Sequence, residues 1–262
     1  YIRRNLNFFS SKYGCKKIKL KNQFIILSLL IVILTSINAL VLPFHKENNS
    51  SRDISLILHE SSWIPGHWDL TGSPIYIDDS NPLANWSYTE NKYEWCTGSG
   101  TEEDPYRIKR VYIDGQNNDV CLRILNSEVF FIIENCTFVK GDSGVHIITL
   151  YKTNNGLFKN NTIKLISNGV GMFLTESSNN TIYKNKFYMN EEAIRLYSSS
   201  NYNNISYNNF LQNDNYGIYI THSSNYNSIS SNNFINPSLS PCFVGIHILR
   251  WRKGTIPAVL FC

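Results

Sequence analysis

The chain has 262 residues and a formal charge of +4, from 24 Lys and Arg against 20 Asp and Glu. Residues 1–44 carry Arg3, Arg4, Lys12, Lys16, Lys17, Lys19 and Lys21 and no acid, which leaves 17 bases against 20 acids in the rest. The body is therefore weakly acidic and rich in Asn, Ser and Tyr, which excludes the basic footprint of a nucleic-acid-binding protein; its length suits one or two domains.

Residues 1–23 form a basic leader. Residues 24–44 read FIILSLLIVILTSINALVLPF, with no charge across 21 residues. About 20 helical residues cross the hydrocarbon core of a bilayer, and the basic flank predicts a leader inside and a body outside. Two readings fit: a cleaved signal peptide, with Ala39 as the small residue before the cut, or an uncleaved single-span anchor. Both place the body at the cell surface or in the secreted fraction. Residues 45–105 read as a linker, with a short apolar strand at 54–58, followed by an N-terminal cap. Trp63, Trp68, Trp86 and Trp95, with Tyr88 and Tyr93, crowd this part of the chain. Solenoids need an atypical terminal unit to close their core, and these aromatics suit that role; the alternative is an aromatic platform for sugar. His67, beside Trp68, reads as a packing or surface residue.

From residue 106 to 249 the sequence repeats. An apolar lead, two residues, Asn, one residue, then Thr or Phe recurs as Leu157/Asn160/Thr162, Ile182/Asn185/Phe187, Ile205/Asn208/Phe210 and Ile229/Asn232/Phe234. Ile108 and Ile132/Asn135/Thr137 extend the pattern backwards, so the leads fall at 108, 132, 157, 182, 205 and 229. A fixed period in the low twenties is the signature of a solenoid. A second, alternating phrase follows in each unit: Leu122-Arg123-Ile124, Val145-His146-Ile147, Met172-Phe173-Leu174, Ile194-Arg195-Leu196, Ile218-Tyr219-Ile220 and Ile246-His247-Ile248, four of them preceded by Gly144, Gly171, Gly217 or Gly245. Alternation predicts strands with one buried face, and stacking equivalent strands gives parallel sheets with rungs about 4.8 Å apart. Asn135, Asn160, Asn185, Asn208 and Asn232 then stack as a buried ladder of amides.

The phrases NNTIxxNxF and GIxI, with GSGTEEDPYRI and IDGQ ahead of them, resemble the β-helix domain of the periplasmic copper-processing protein NosD, and are similar to secreted multi-copy β-helix proteins of archaea. The resemblance covers roughly residues 96–249. It implies an all-β fold: a right-handed parallel β-helix of about six coils of about 24 residues, preceded by the membrane or signal helix and the aromatic-rich cap. Because this fold hosts lyases, glycosidases, adhesins and accessory proteins alike, function has to be argued from residues.

A glycosidase needs two carboxyls about 5–9.5 Å apart on neighbouring coils, and a lyase of pectate-lyase type needs Asp residues for calcium with an Arg or Lys base. Glu191, Glu192 and Asp214 fall in nearby slots, but Ser167 and Asn215 beside them are turn composition. Asp114 and Asp119 lie in the first coil's turn. Arg110 and Glu134 share a slot and predict a weak surface pair. No cluster of His, Cys or Met marks a metal site, and no cofactor is expected. The outward positions of the alternating phrase form the column Arg123, His146, Phe173, Arg195, Tyr219 and His247. Rings and cations on an exposed sheet face suit an acidic glycan, by stacking and ion pairing.

Of the six cysteines, Cys15 precedes the apolar run, while Cys96, Cys121, Cys136, Cys242 and Cys262 follow it. In an oxidising exterior a bond between Cys96 and Cys121 would tie the cap to the first coil. Asn49 and Asn85 head the most plausible glycosylation sequons, whereas Asn135, also in a sequon, belongs to the ladder. The phrase is lost in residues 250–262, and the chain opens on Tyr1 rather than Met, so the sequence reads as a fragment whose array continues. The expectation is an exported or membrane-anchored, non-catalytic β-helix that contacts an extracellular glycan or a surface protein. The alternatives are a β-helix polysaccharide lyase or glycoside hydrolase, and a metal-delivery accessory protein.

Overall fold

The computed structural model describes residues 67–116, 120–139, 146–164, 169–236 and 243–249. The leader, the apolar run at 24–44, Asn49, Trp63, Asp119, Cys242 and residues 250–262 lie outside them. The short apolar phrases form three sheets of seven strands, each sheet taking one strand from every coil. The first contains β3 (Cys96–Thr97), β4 (Tyr106–Lys109), β7 (Phe131–Glu134), β10 (Gly156–Lys159), β13 (Thr181–Tyr183), β16 (Asn204–Ser206) and β19 (Ser228–Ser230). The second contains β1 (Trp68–Asp69), β5 (Val111–Asp114), β8 (Thr137–Val139), β11 (Thr162–Lys164), β14 (Lys186–Tyr188), β17 (Asn209–Leu211) and β20 (Asn233–Ile235). The third contains β2 (Ile75–Asp78), β6 (Leu122–Ser127), β9 (His146–Thr153), β12 (Val170–Thr175), β15 (Glu192–Tyr197), β18 (Tyr216–Ile220) and β21 (Val244–Ile248). Neighbours pair in parallel, except β3, which runs antiparallel to β4. This is the expected all-β parallel β-helix.

The strand ladder starts earlier than the repeat in the sequence. Trp68 pairs with Val111 and Ile75 with Leu122, so β1 and β2 extend the second and third sheets by one rung into the stretch read as linker and cap. At that rung a helix, α1 (Trp86–Lys92), precedes the antiparallel β3. Asn85 caps α1, its side-chain oxygen accepting from Tyr88 N at 2.8 Å. This cap satisfies an amide that the helix itself leaves unpaired. Trp86 is 1% exposed, stacks on Tyr106 with ring centres 5.3 Å apart, meets Phe131 at 5.0 Å, and donates its indole N–H to Ser127 Oγ.

The core is a set of stacked columns. The first sheet turns Ile108, Ile133, Phe158, Ile182, Ile205 and Ile229 inward. The second contributes Ile113, Phe138, Ile163, Phe187, Phe210 and Phe234. Phe187, Phe210 and Phe234 stack nearly parallel, at 5.2 and 4.7 Å. Burial of each such side chain stabilises by about 1.5–3 kcal/mol. The first column corrects two of the expected leads. Ile133 and Phe158, not Ile132 and Leu157, face the core; the latter are half-buried. Each lies beside another apolar residue, so the apolar pattern alone leaves two registers open. The repeated glycine ahead of the alternating phrase also has a reason. A Cβ on Gly171 would lie 2.7 Å from Ala193 O, and one on Gly217 2.6 Å from Gly245 O.

The one-residue shift moves the amide ladder as well. Asn135 and Asn160 are exposed; the buried members are Asn161, Asn185 and Asn208, with Asn232 above them and Cys136 at the foot. Cys136 N, Asn161 N, Asn185 N and Asn208 N donate to the side-chain oxygens of Asn161, Asn185, Asn208 and Asn232 at 2.8–2.9 Å. Each amide nitrogen reaches back to a carbonyl of the preceding coil: Asn161 to Ile133, Asn185 to Phe158, Asn208 to Ile182 and Asn232 to Ile205. A second ladder runs through Asn180, Asn203 and Asn227, and a hydroxyl ladder through Thr153, Ser177, Ser200 and Ser224.

The residue ahead of each ladder position has a left-handed backbone. Arg110, Asn135, Asn160, Lys184, Tyr207 and Ser231 have φ between 54° and 58°. For residues other than glycine this costs about 1–2 kcal/mol. The twist keeps their amides on the next coil: Arg110 N donates to Glu134 O, Asn135 N to Lys159 O, Asn160 N to Tyr183 O, Lys184 N to Ser206 O and Tyr207 N to Ser230 O. Arg110 is therefore a corner residue, not the expected partner of Glu134, which instead pairs with Lys159 at 2.9 Å and Arg107 at 3.7 Å.

The two kinds of asparagine separate experimentally. Asn185→Ala strips Asn161 N of its acceptor and Phe158 O of its donor. It is expected to lower unfolding stability in urea by about 2–4 kcal/mol, as befits two or more buried groups left unpaired. Asn160→Ala is expected to cost about 1 kcal/mol, the extra strain of alanine over asparagine at a left-handed corner.

Candidate functional site

The outer face of the third sheet gathers the aromatic and cationic residues. Its strands alternate buried and half-buried positions, so every second side chain leaves the core. The outward column in register is Tyr76, Arg123, Thr149, Phe173, Arg195, Tyr219 and His247. Five expected members stand in it. His146 does not: it pairs with Val170, and Thr149 occupies its place. β9 carries the in-register phrase Ile148-Thr149-Leu150, which places Ile148 and Leu150 on Leu122 and Ile124. His146 still reaches the column from its edge, its ring stacked on Phe173 at 4.2 Å. From Arg123 to His247 the column climbs five rungs, about 24 Å at the spacing of paired strands.

The groups on this face touch one another. Phe173 lies 6.0 Å from Tyr197, which meets His222 at 4.2 Å. The Arg195 guanidinium sits 5.5 Å over the Tyr219 ring. Tyr216 stacks on Tyr219 at 5.0 Å, and both meet His247 edge-on at 4.9 and 5.3 Å. Glu192, 5% exposed, accepts two hydrogen bonds from Arg195, at 2.6 Å from Nε and 2.5 Å from Nη2. This planar pairing neutralises Arg195 inside the face. Burial, followed by Arg195 and Arg123, pulls the His146 imidazole down to about 4, so it is neutral at pH 7. Sequence reasoning missed Tyr76, Tyr197, Tyr216 and His222. Tyr76 stands in an alternating phrase, IYID, that lies ahead of the recognised repeat, and the other three lie just outside the three-residue phrases.

The remaining candidates disperse. Glu192 is committed to Arg195, and Glu191 accepts from Asn215 Nδ2 at 2.8 Å. Asp214 continues a corner through its backbone N–H to Asn190 O. Asp114 closes a turn on Gln116 N. Cys96 and Cys121 are not bonded to each other. Both thiols are buried, Cys96 on β3 and Cys121 against the carbonyls of Ile113 and Val139. Burial pushes the thiols of Cys96, Cys121 and Cys136 up to about 12, a setting for inert rather than reactive sulfur. Asn85 serves α1 as its cap, and His67 Nε2 lies 3.2 Å from Asn135 O. Beside α1 a cavity of about 340 Å³ opens against β2.

The His146 setting has a consequence with a definite sign. Its folded pKa is lowered, so the unfolded chain takes up the proton first as pH falls from about 6.5 toward 4. Stability is expected to drop through that window by about 1–2 kcal/mol from this residue, allowing for partial solvent screening. The comparison of urea midpoints at pH 7 and 4.5 should show a smaller loss in His146→Phe than in the parent protein.

No curated protein and no solved structure matches the chain. One family model, described as "Periplasmic copper-binding protein (NosD)", matches residues 66–257. Among the described residues no group of three or more His, Cys, Asp or Glu stands together to hold a metal ion. The described thiols are buried, Met172 is in the core, and His146 and His247 lie on coils far apart. These residues do not fit a copper site. Among the same residues no helix is long and apolar enough to cross a membrane. The matched span takes in every strand from β1 to β21, and on that ground the chain belongs to the NosD family of periplasmic β-helix proteins.

Proposed function

We propose that the chain is an exported, non-catalytic β-helix that binds carbohydrate along the outer face of its third sheet. The observation that carries this reading is a pair of adjoining clusters on one face, His146 with Phe173 and Arg195 with Tyr219, Tyr216 and His247, with Phe173 and Arg195 side by side in register on neighbouring strands. Sugar rings present apolar C–H faces and polar rims, and side chains with an apolar body and a polar tip serve both. The packed aromatic pairs also fix the geometry of the face before a ligand arrives, which reduces the ordering cost of binding. Export is in keeping with the periplasmic description of the family. The non-catalytic part rests on the carboxylates: Glu192 is neutralised by Arg195 and Glu191 is held by Asn215, so neither is available as the paired acid and base that glycoside hydrolysis requires.

A glycan array probed with the full chain tests the proposal. Binding to a defined set of oligosaccharides is expected, with no new reducing ends released. Tyr219→Ala and Phe173→Ala should each weaken it about tenfold, the effect of losing one stacking contact and its buried area. Capture of a protein but no glycan, or release of new chain ends, would overturn it.

A further inference from the structure

The cavity beside α1 lies at the end of the outward column. Tyr76 is in register with Arg123 on the third sheet, 46% exposed, and also forms one wall of the cavity. The strand that carries it, β2, is the edge of that sheet. The lining also takes in Tyr88 and Lys92 of α1 and, after it, Tyr93 and Trp95, together with Leu83, which is 74% exposed. Tyr93 and Trp95 stack at 4.7 Å, and the Lys92 ammonium lies 3.1 Å from Tyr88 Oη and 5.1 Å from the Tyr88 and Tyr93 ring centres. Among the described residues lining the cavity Lys92 is the one charged group, and no carboxylate faces it. At about 340 Å³ the space falls within the size range of small-molecule sites, and its aromatic walls with a few polar groups have the usual composition of one.

We infer that this cavity holds the terminal residue of the bound glycan, and that this residue is a carboxylated sugar. The inference rests on the reading of the third-sheet face for the direction from which the chain arrives. A polysaccharide laid along Phe173, Thr149 and Arg123 meets Tyr76 next, and Tyr76 is itself part of the cavity lining, so the chain's terminal residue enters there. The ring lies between Tyr76 and the Tyr93–Trp95 pair. Lys92 and the Tyr88 hydroxyl meet the carboxylate, an opposite charge in a pocket that otherwise carries none. Lys92 therefore sets the preference for an acidic over a neutral terminus.

The full chain is titrated with D-glucuronate, D-galacturonate, D-glucose and a tetrameric oligouronate, followed by heat and by quenching of tryptophan fluorescence, since Trp95 lines the cavity. A uronate is expected to saturate and to bind about tenfold more tightly than glucose, the scale of one charge-assisted contact. Lys92→Met should abolish that preference without altering the fold, Lys92 being exposed. Phe173→Ala, three rungs from Tyr76, should weaken the tetramer and leave the monosaccharide unchanged. Equal affinity for uronate and glucose, no monosaccharide binding, or an unaffected Lys92→Met protein would overturn the inference. If the tetramer still binds in any of those cases, the third-sheet reading survives; if the uronate binds and Phe173→Ala leaves the tetramer untouched, the cavity reading survives and the face reading fails.

Discussion

The structure depends on a side-chain amide that serves two neighbours. A coil of about 24 residues with three short strands has three corners, and every corner removes backbone groups from the sheets. In water those groups would be solvated; inside a stack they would cost about 1–3 kcal/mol each if left unpaired. Asn185 shows the solution in full: its oxygen takes the amide of Asn161, its nitrogen reaches the carbonyl of Phe158, and its own amide rests on Asn208. The side chain does at the corner what a neighbouring strand does in the sheet. Every coil above a corner is thus part of the hydrogen bonding of the coil below.

That dependence explains why the chain accepts strain. The left-handed corner residues include Lys184 and Tyr207, for which such a backbone is uncommon. The alternative is worse: relaxing the corner would break the amide contacts of Lys184 with Ser206 and of Tyr207 with Ser230 and tilt the adjacent Asn out of its ladder. Local preference yields to a requirement repeated at every rung. The apolar columns add the larger share of stabilisation, but they are indifferent to small sliding. The polar ladders fix the register in which those columns stack.

Architecture was legible because a period survives substitution at any single copy. Register was not fully so. Ile132-Ile133 and Leu157-Phe158 each offer two apolar residues for one inward slot, and only the hydrogen-bonding of Cys136 and Asn161 decides between them. The eight residues of β9 hide the same ambiguity, which is why alternation alone assigns His146 to a position that Thr149 occupies. Most of the outward face could be read, since alternation alone determines it. The cavity was out of reach: it joins Tyr76, from a strand ahead of the recognised repeat, to a seven-residue helix whose boundaries depend on its Asn85 cap. The crowd of aromatics in that stretch was visible in the sequence. Their division was not: Trp86 goes inward against Tyr106 and Phe131, while Tyr93 and Trp95 stack beside the opening.

The interlocking of coils also bears on how such a molecule changes length. Since each corner amide is satisfied by the homologous residue one coil away, a coil is a complete grammatical unit: its needs are met by any neighbour built the same way. Duplication or loss of one whole period leaves every column and ladder continuous and only shifts the far part of the molecule along its axis by one strand spacing. Loss of a single residue inside a strand does the opposite, turning Phe210 toward solvent and its polar neighbours toward the core along that rung. Variation in genes of this design is therefore expected to come in steps of a coil, with irregular insertions confined to the loops between sheets.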